Sequence, residues 1–164
     1  MKSVANVFKS LPVVSAVVRA EAMPGEARAY AWDEIVLDWE QRVRVRARRV
    51  TTGGIEFATA LPRGTVLREG DCLVLSSLQL NVRVIECPEQ VLVVRPRDAA
   101  EAAEFSYHIG NSHSPMMIDG GLIICPEMPG MTRLLEYHQI PFERAERPFT
   151  PLGQVVGHRH GSLS

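Results

Sequence analysis

Val91-Leu92-Val93-Val94-Arg95-Pro96-Arg97-Asp98-Ala99-Ala100-Glu101-Ala102-Ala103-Glu104-Phe105-Ser106-Tyr107-His108 holds a strand, a helix cap and a helix in one run. Val91 to Pro96 is apolar and rich in β-branched residues, which predicts a strand. Asp98 is a good N-cap, and the Ala- and Glu-rich stretch behind it predicts a helix from about Ala99 to His108. Gly110-Asn111 supplies the residues that a helix C-terminus prefers. Pro115 to Ile118 and Leu122 to Cys125 flank Asp119-Gly120-Gly121, a hairpin signal. Met131, Leu134, Leu135 and His138 fall at i, i+3, i+4 and i+7, the spacing of a short amphipathic helix. Ile140 to Phe149 can form a last strand. The order β-α-β-β-α-β over residues 89–150 is that of a ferredoxin-like domain.

Upstream of this stretch the texture differs. Val13 to Arg19, Ile35 to Trp39, Ile55 to Leu61, Thr65 to Leu67, Cys72 to Ser76 and Leu80 to Cys87 read as strands between Pro-, Gly- and Thr-rich turns. Arg42 to Arg48 alternates Arg with Val or Ala, and a period of two sets the arginines on one strand face. A solvated face is the expected role of these arginines. No helical period is evident before position 97, so residues 1–88 predict an all-β domain, a small sandwich or barrel. Cys87-Pro88-Glu89-Gln90 is the joint. Residues 151–164 turn polar and Gly-rich and end in His158-Arg159-His160-Gly161-Ser162-Leu163-Ser164, a tail expected to be flexible. The class is α+β.

Composition narrows function. The chain has 164 residues, 46% of them hydrophobic, and 18 basic against 19 acidic residues. This balance argues against a broad cationic nucleic-acid footprint. The only lysines are Lys2 and Lys9, which removes a P-loop and any lysine deep in the fold. The N-terminus lacks the apolar core of a secretory signal, and no apolar run is long enough to span a bilayer, so a cytoplasmic protein without a membrane is expected. Cys72, Cys87 and Cys125 form no CxxC pair and read as structural. Ser112 or Cys125 with a histidine and Asp119 makes no recognisable triad, since no GxSxG elbow accompanies them. No catalytic role is expected.

The five histidines all lie at or after position 108. His108 and His113 are five apart, about 140° around a continuous helix, and could not share one ion there. With the helix ending near Gly110, His113 would project from the following loop, while His108 is expected to pack at the helix end. His158 and His160 are spaced i, i+2, so an extended chain turns both rings to one side. Neutral imidazole suits Ni²⁺, Cu²⁺ and Zn²⁺, although two histidines alone are a weak metal signal.

Tyr107-His108-Ile109-Gly110-Asn111-Ser112-His113 resembles the YHLGNRH signature of the urease accessory protein UreE family. Arg44-Val45-Arg46 followed by Thr51, Leu61-Pro62-Arg63-Gly64, Glu69-Gly70-Asp71 and Arg147-Pro148-Phe149-Thr150-Pro151 match further pieces of the family in order, with a His-bearing tail behind them. The resemblance covers nearly the whole chain. It implies a nickel chaperone that dimerises through its ferredoxin-like domain and supplies urease through the accessory GTPase UreG. His113 matches the signature's terminal histidine, which in the family meets its symmetry mate and binds nickel; His158 and His160 would complete the shell. Two departures stand out: Ser112 replaces the family's usual arginine, and the apolar stretch Leu122 to Pro126 lacks the histidine pair that some members carry in the hairpin.

The function implied is thus a homodimeric Ni²⁺ metallochaperone for urease metallocentre assembly, with Zn²⁺ or Cu²⁺ as in vitro alternatives. Its partners would be the GTPase UreG and the urease apoprotein complex. The rival is a protein-binding adaptor of the same maturation complex, in which metal is secondary. An RNA-binding ferredoxin-like domain ranks last, because Val91 to Pro96 and Leu122 to Cys125 offer no aromatic stacking platform.

Overall fold

Strands β1 (Val13–Val14), β3 (Arg46–Val50) and β4 (Glu56–Ala60) form one sheet in the order β1-β4-β3. Strands β2 (Ala31–Leu37), β5 (Cys72–Leu75) and β6 (Leu80–Glu86) form a second, β2-β6-β5. The computed structural model describes residues 11–152. Both sheets are open, and no closed barrel forms among the described strands. The described residues divide into two compact units, residues 11–36 with 44–85 and residues 37–43 with 86–152.

The second unit holds β7 (Glu89–Val94), α2 (Ala99–Asn111), β8 (Met117–Asp119), β9 (Leu122–Pro126), α3 (Met131–Tyr137) and β10 (Glu143–Arg147), preceded by a short helix α1 (Trp39–Val43). Its sheet order is β10-β7-β9-β8 with every neighbour antiparallel, the ferredoxin-like arrangement. Gly120 and Gly121 both take positive φ, 57° and 82°, which the two-residue turn between β8 and β9 requires.

The central strands read as unbroken apolar runs because both of their faces are buried. Leu92, Val94, Ile123 and Cys125 pack with Phe105, Ile109, Met131 and Leu135 of the helices. Val91, Val93 and Ile124 face the other way and are covered by Phe149, with Trp39 of α1 against it. The Trp39 and Phe149 rings meet edge to face at 5.9 Å.

Several local readings change. Arg42 does not lie on a strand: α1 spans Trp39–Val43 and buries it to 1% exposure. The helix starts on a reciprocal cap, with the Gln41 N–H donating to Asp38 Oδ1 at 2.7 Å and the Asp38 N–H to Gln41 Oε1 at 3.0 Å. Arg44, Arg46 and Arg48 are exposed as the alternation predicts. Arg49 is instead buried, its guanidinium donating to Thr59 Oγ1 at 3.2 Å and the Arg44 carbonyl at 2.8 Å. Of the four alternating arginines, three are thus solvated, and Arg42 is not. Thr65 to Leu67 is no strand, because the Thr65 N–H and hydroxyl both donate to the Pro62 carbonyl in a turn. The apolar run after Val13 is a strand only over Val13–Val14.

Candidate metal centre

α2 is built to end at a fixed place. Asp98 caps its start by accepting from the Glu101 N–H at 2.9 Å, and Phe105 and Ile109 anchor one face in the core. The helix runs through Gly110 to Asn111, one turn beyond His108. There the Ser112 hydroxyl donates to the Ile109 carbonyl at 2.6 Å, satisfying an acceptor that the helix end leaves open, and lies 2.9 Å from the Ser114 hydroxyl. The serine that replaces the arginine of the resembled signature is thus used locally, as a helix-end clasp.

His113 follows at φ 56°, and its N–H donates to the Gly110 carbonyl at 2.9 Å. This is the left-handed position that closes many helices and usually belongs to glycine. A side chain there carries backbone strain, which histidine tolerates better than most residues. The imidazole of His113 is exposed. The sequence expectation of a loop histidine holds, and the strained backbone adds a detail that no spacing rule predicts.

His108 has a different fate. Its ring stacks on that of His138, the C-cap of α3, with centroids 3.7 Å apart and planes at 23°. Tyr107 and Tyr137 meet this pair edge-on at 5.4 Å and 4.9 Å. Imidazoles face to face direct their in-plane lone pairs side by side, not toward one point. The stack therefore joins two helix ends, the packing role expected of His108.

Past β10 the chain returns to Met116 and Met117 at the start of β8. Phe149 is fully buried, and the Thr150 N–H lies 3.3 Å from the Met117 sulfur. The Leu152 N–H donates to the carbonyl of Met116, three residues beyond His113, at 2.7 Å. His158 and His160 lie outside the described residues. Among the described residues no group of three or more His, Cys, Asp or Glu could hold a metal ion. The described part of one chain thus brings a single imidazole, His113, to the candidate centre.

The other nucleophiles and acids weighed on sequence are engaged elsewhere. Asp119 pairs with Arg147. Cys125 is fully buried, and burial pushes its thiol up to about 12; burial also raises that of Cys72. Both stay protonated, the form that neither attacks nor ligates. Sequence reasoning missed Arg42 and the His138 stack. The first was findable, since Asp38-Trp39-Glu40-Gln41 carries the spacing of a capping box.

Among the described residues no helix is long and apolar enough to cross a membrane. The model of the UreE urease accessory protein N-terminal domain matches residues 14–84, and that of its C-terminal domain matches residues 89–163. The urease accessory protein UreE of Burkholderia thailandensis is 38% identical over 129 residues, covering 77% of this chain and 60% of the relative. That of Burkholderia mallei is 37% identical, covering 77% and 63%, and that of Burkholderia pseudomallei 37%, covering 77% and 63%. The chain thus spans a little over 60% of the length of such relatives.

Proposed function

We propose that this chain, which belongs to the UreE family of urease accessory proteins, is a non-catalytic nickel carrier for urease maturation. It binds Ni²⁺ through His113 at a homodimer interface, with His158 and His160 as further ligands, and passes the ion on within the cytoplasm through the accessory GTPase UreG to the urease apoprotein. The observation that carries this reading is His113 itself, exposed and held in a left-handed backbone at the end of α2. Gln79 and Gln139 share this backbone region, so what sets His113 apart is the metal-ligating imidazole that it presents there.

Chemistry supports the rest. Imidazole suits a borderline ion such as Ni²⁺, and Zn²⁺ or Cu²⁺ would compete for it in vitro. One surface imidazole binds feebly, but a two-fold axis doubles it with no further sequence requirement. Leu152 is fastened beside Met116, and His158 lies six positions further on, a reach of up to about 20 Å in extended chain. Met116 is itself within about 11 Å of His113 along the chain. The tail histidines can therefore reach the ion, and they can leave it, which suits delivery better than storage.

Equilibrium dialysis tests the site. His113→Ala should lose nearly all tight nickel, whereas truncation after Val156 should weaken binding less severely. Unchanged affinity and stoichiometry in His113→Ala would sink the proposal. Imidazole ligates only when neutral, so nickel affinity should fall as the pH drops through the ordinary imidazole range, roughly 6.5. A flat affinity across that range would exclude histidine ligation.

A further inference from the structure

His113 is exposed, yet the chain on either side of it is fastened. The Ser112 hydroxyl has one hydrogen, and the 2.6 Å bond to the Ile109 carbonyl uses it. The 2.9 Å contact between the two serine hydroxyls therefore has Ser114 donating and Ser112 accepting. The result is a relay from Ser114 through Ser112 to the last turn of α2, bridging the backbone of His113. Hydroxyls in series polarise one another, so the two bonds strengthen together. Next in the chain, Pro115 disfavours helical geometry in the residue before it and so keeps Ser114 extended. Met116 closes the loop from the strand side. A Cβ built on Gly110 would lie 3.8 Å from Met116 Cε, so that side chain reaches back to the helix end, and the Met116 carbonyl accepts the Leu152 N–H.

Fastening at both ends limits how far the His113 backbone can leave its φ of 56°. Left-handed geometry is costly for a residue with a Cβ, so without a hold the loop would spread into conformations that aim the ring elsewhere. Resting on the nickel reading above, we propose that Ser112 and Ser114 are positioning residues for the metal: their hydroxyl relay holds the His113 imidazole in the direction from which it ligates. The hydroxyls are not themselves ligands in this role, since a borderline ion takes imidazole in preference to neutral hydroxyl oxygen. Apparent affinity scales with the fraction of molecules in the competent conformation. Losing one solvent-facing neutral hydrogen bond should therefore lower nickel affinity roughly two- to fivefold.

The test is calorimetric titration of the full chain with Ni²⁺, comparing Ser114→Ala, Ser114→Thr, Ser112→Ala and the double alanine variant, with His113→Ala alongside. Ser114→Ala should lose roughly two- to fivefold in affinity, and Ser114→Thr, which keeps the hydroxyl, should not. The double variant should bind no more weakly than Ser112→Ala alone, because one relay is broken in both. A second readout needs no metal. The His113 N–H, bonded to the Gly110 carbonyl, should exchange with deuterium faster in Ser114→Ala, while the amides of Val91 to Val94 keep their rates. Unchanged nickel affinity in Ser114→Ala, or equal weakening in Ser114→Thr, would overturn the inference and leave the His113 site standing. So would faster exchange at Val91 to Val94, which would mark a general loss of stability. If His113→Ala keeps its nickel, the parent reading falls, and the role of the two serines with it.

Discussion

At His113 stability and the proposed function pull in opposite directions. A residue with a Cβ pays about 1 kcal/mol to sit in left-handed backbone, and glycine does not. Glycine also loses more freedom on folding, which offsets part of the relief. His113→Gly should therefore raise the unfolding free energy by a few tenths to about 1 kcal/mol while abolishing tight nickel binding. His113→Ala should abolish binding with no gain, since alanine inherits the same φ. Chemical denaturation of both variants beside the parent checks this, and a destabilised His113→Gly would mean that the imidazole makes contacts the fold needs. The type and loop position of His113 were legible in the sequence; its backbone strain was not, because the helix was expected to stop before Gly110 and continues to Asn111.

Elements meet where α1 abuts the start of β7. Glu89 Oε1 accepts the Trp39 N–H at 2.9 Å, a bond that favours the carboxylate. Burial outweighs it, with Asp38 and Glu40 adding repulsion and Arg42 some attraction, and the Glu89 carboxyl titrates above its ordinary range. A carboxyl whose folded-state pKa is raised costs stability where it is ionised, and that cost vanishes once the pH falls below the unfolded value. Glu89→Gln keeps an oxygen for the Trp39 N–H. It should raise the melting temperature at neutral pH and lose that advantage in acid; a gain that persists at low pH would point to packing instead of charge. The strands of both units were largely readable, because β-branched runs between Gly and Pro turns have few other uses. α1 was not, since five residues hold barely one turn and the Arg-Val alternation behind it suggested a strand. Its cap carried the evidence that periodicity could not. Arg42 and Arg49 escaped for a related reason: their partners, Phe149 and Thr150 in one case and Thr59 in the other, are tertiary and leave no mark at short range.

For the whole molecule, the ferredoxin-like order of the second unit followed from sequence because its hairpin glycines, helix cap and apolar runs all agree. The metal centre proposed above would need a second copy and residues beyond Leu152, and no spacing within one chain encodes a symmetry mate. The two-sided burial of β7 and β9 has a consequence for how such a protein handles its cargo. Amides of Val91 to Val94 and Ile123 to Cys125, shielded on both faces, should be the last in the second unit to exchange with deuterium, their opening approaching global unfolding. His113 stands at a helix end outside those strands. Loading the ion should therefore slow exchange around Ser112 to Met116 and leave the slowest amides at the same rate, measured by mass spectrometry with and without Ni²⁺. If the proposed carrier role holds, the chain could take up and surrender its ion many times without ever loosening the strands that keep it folded.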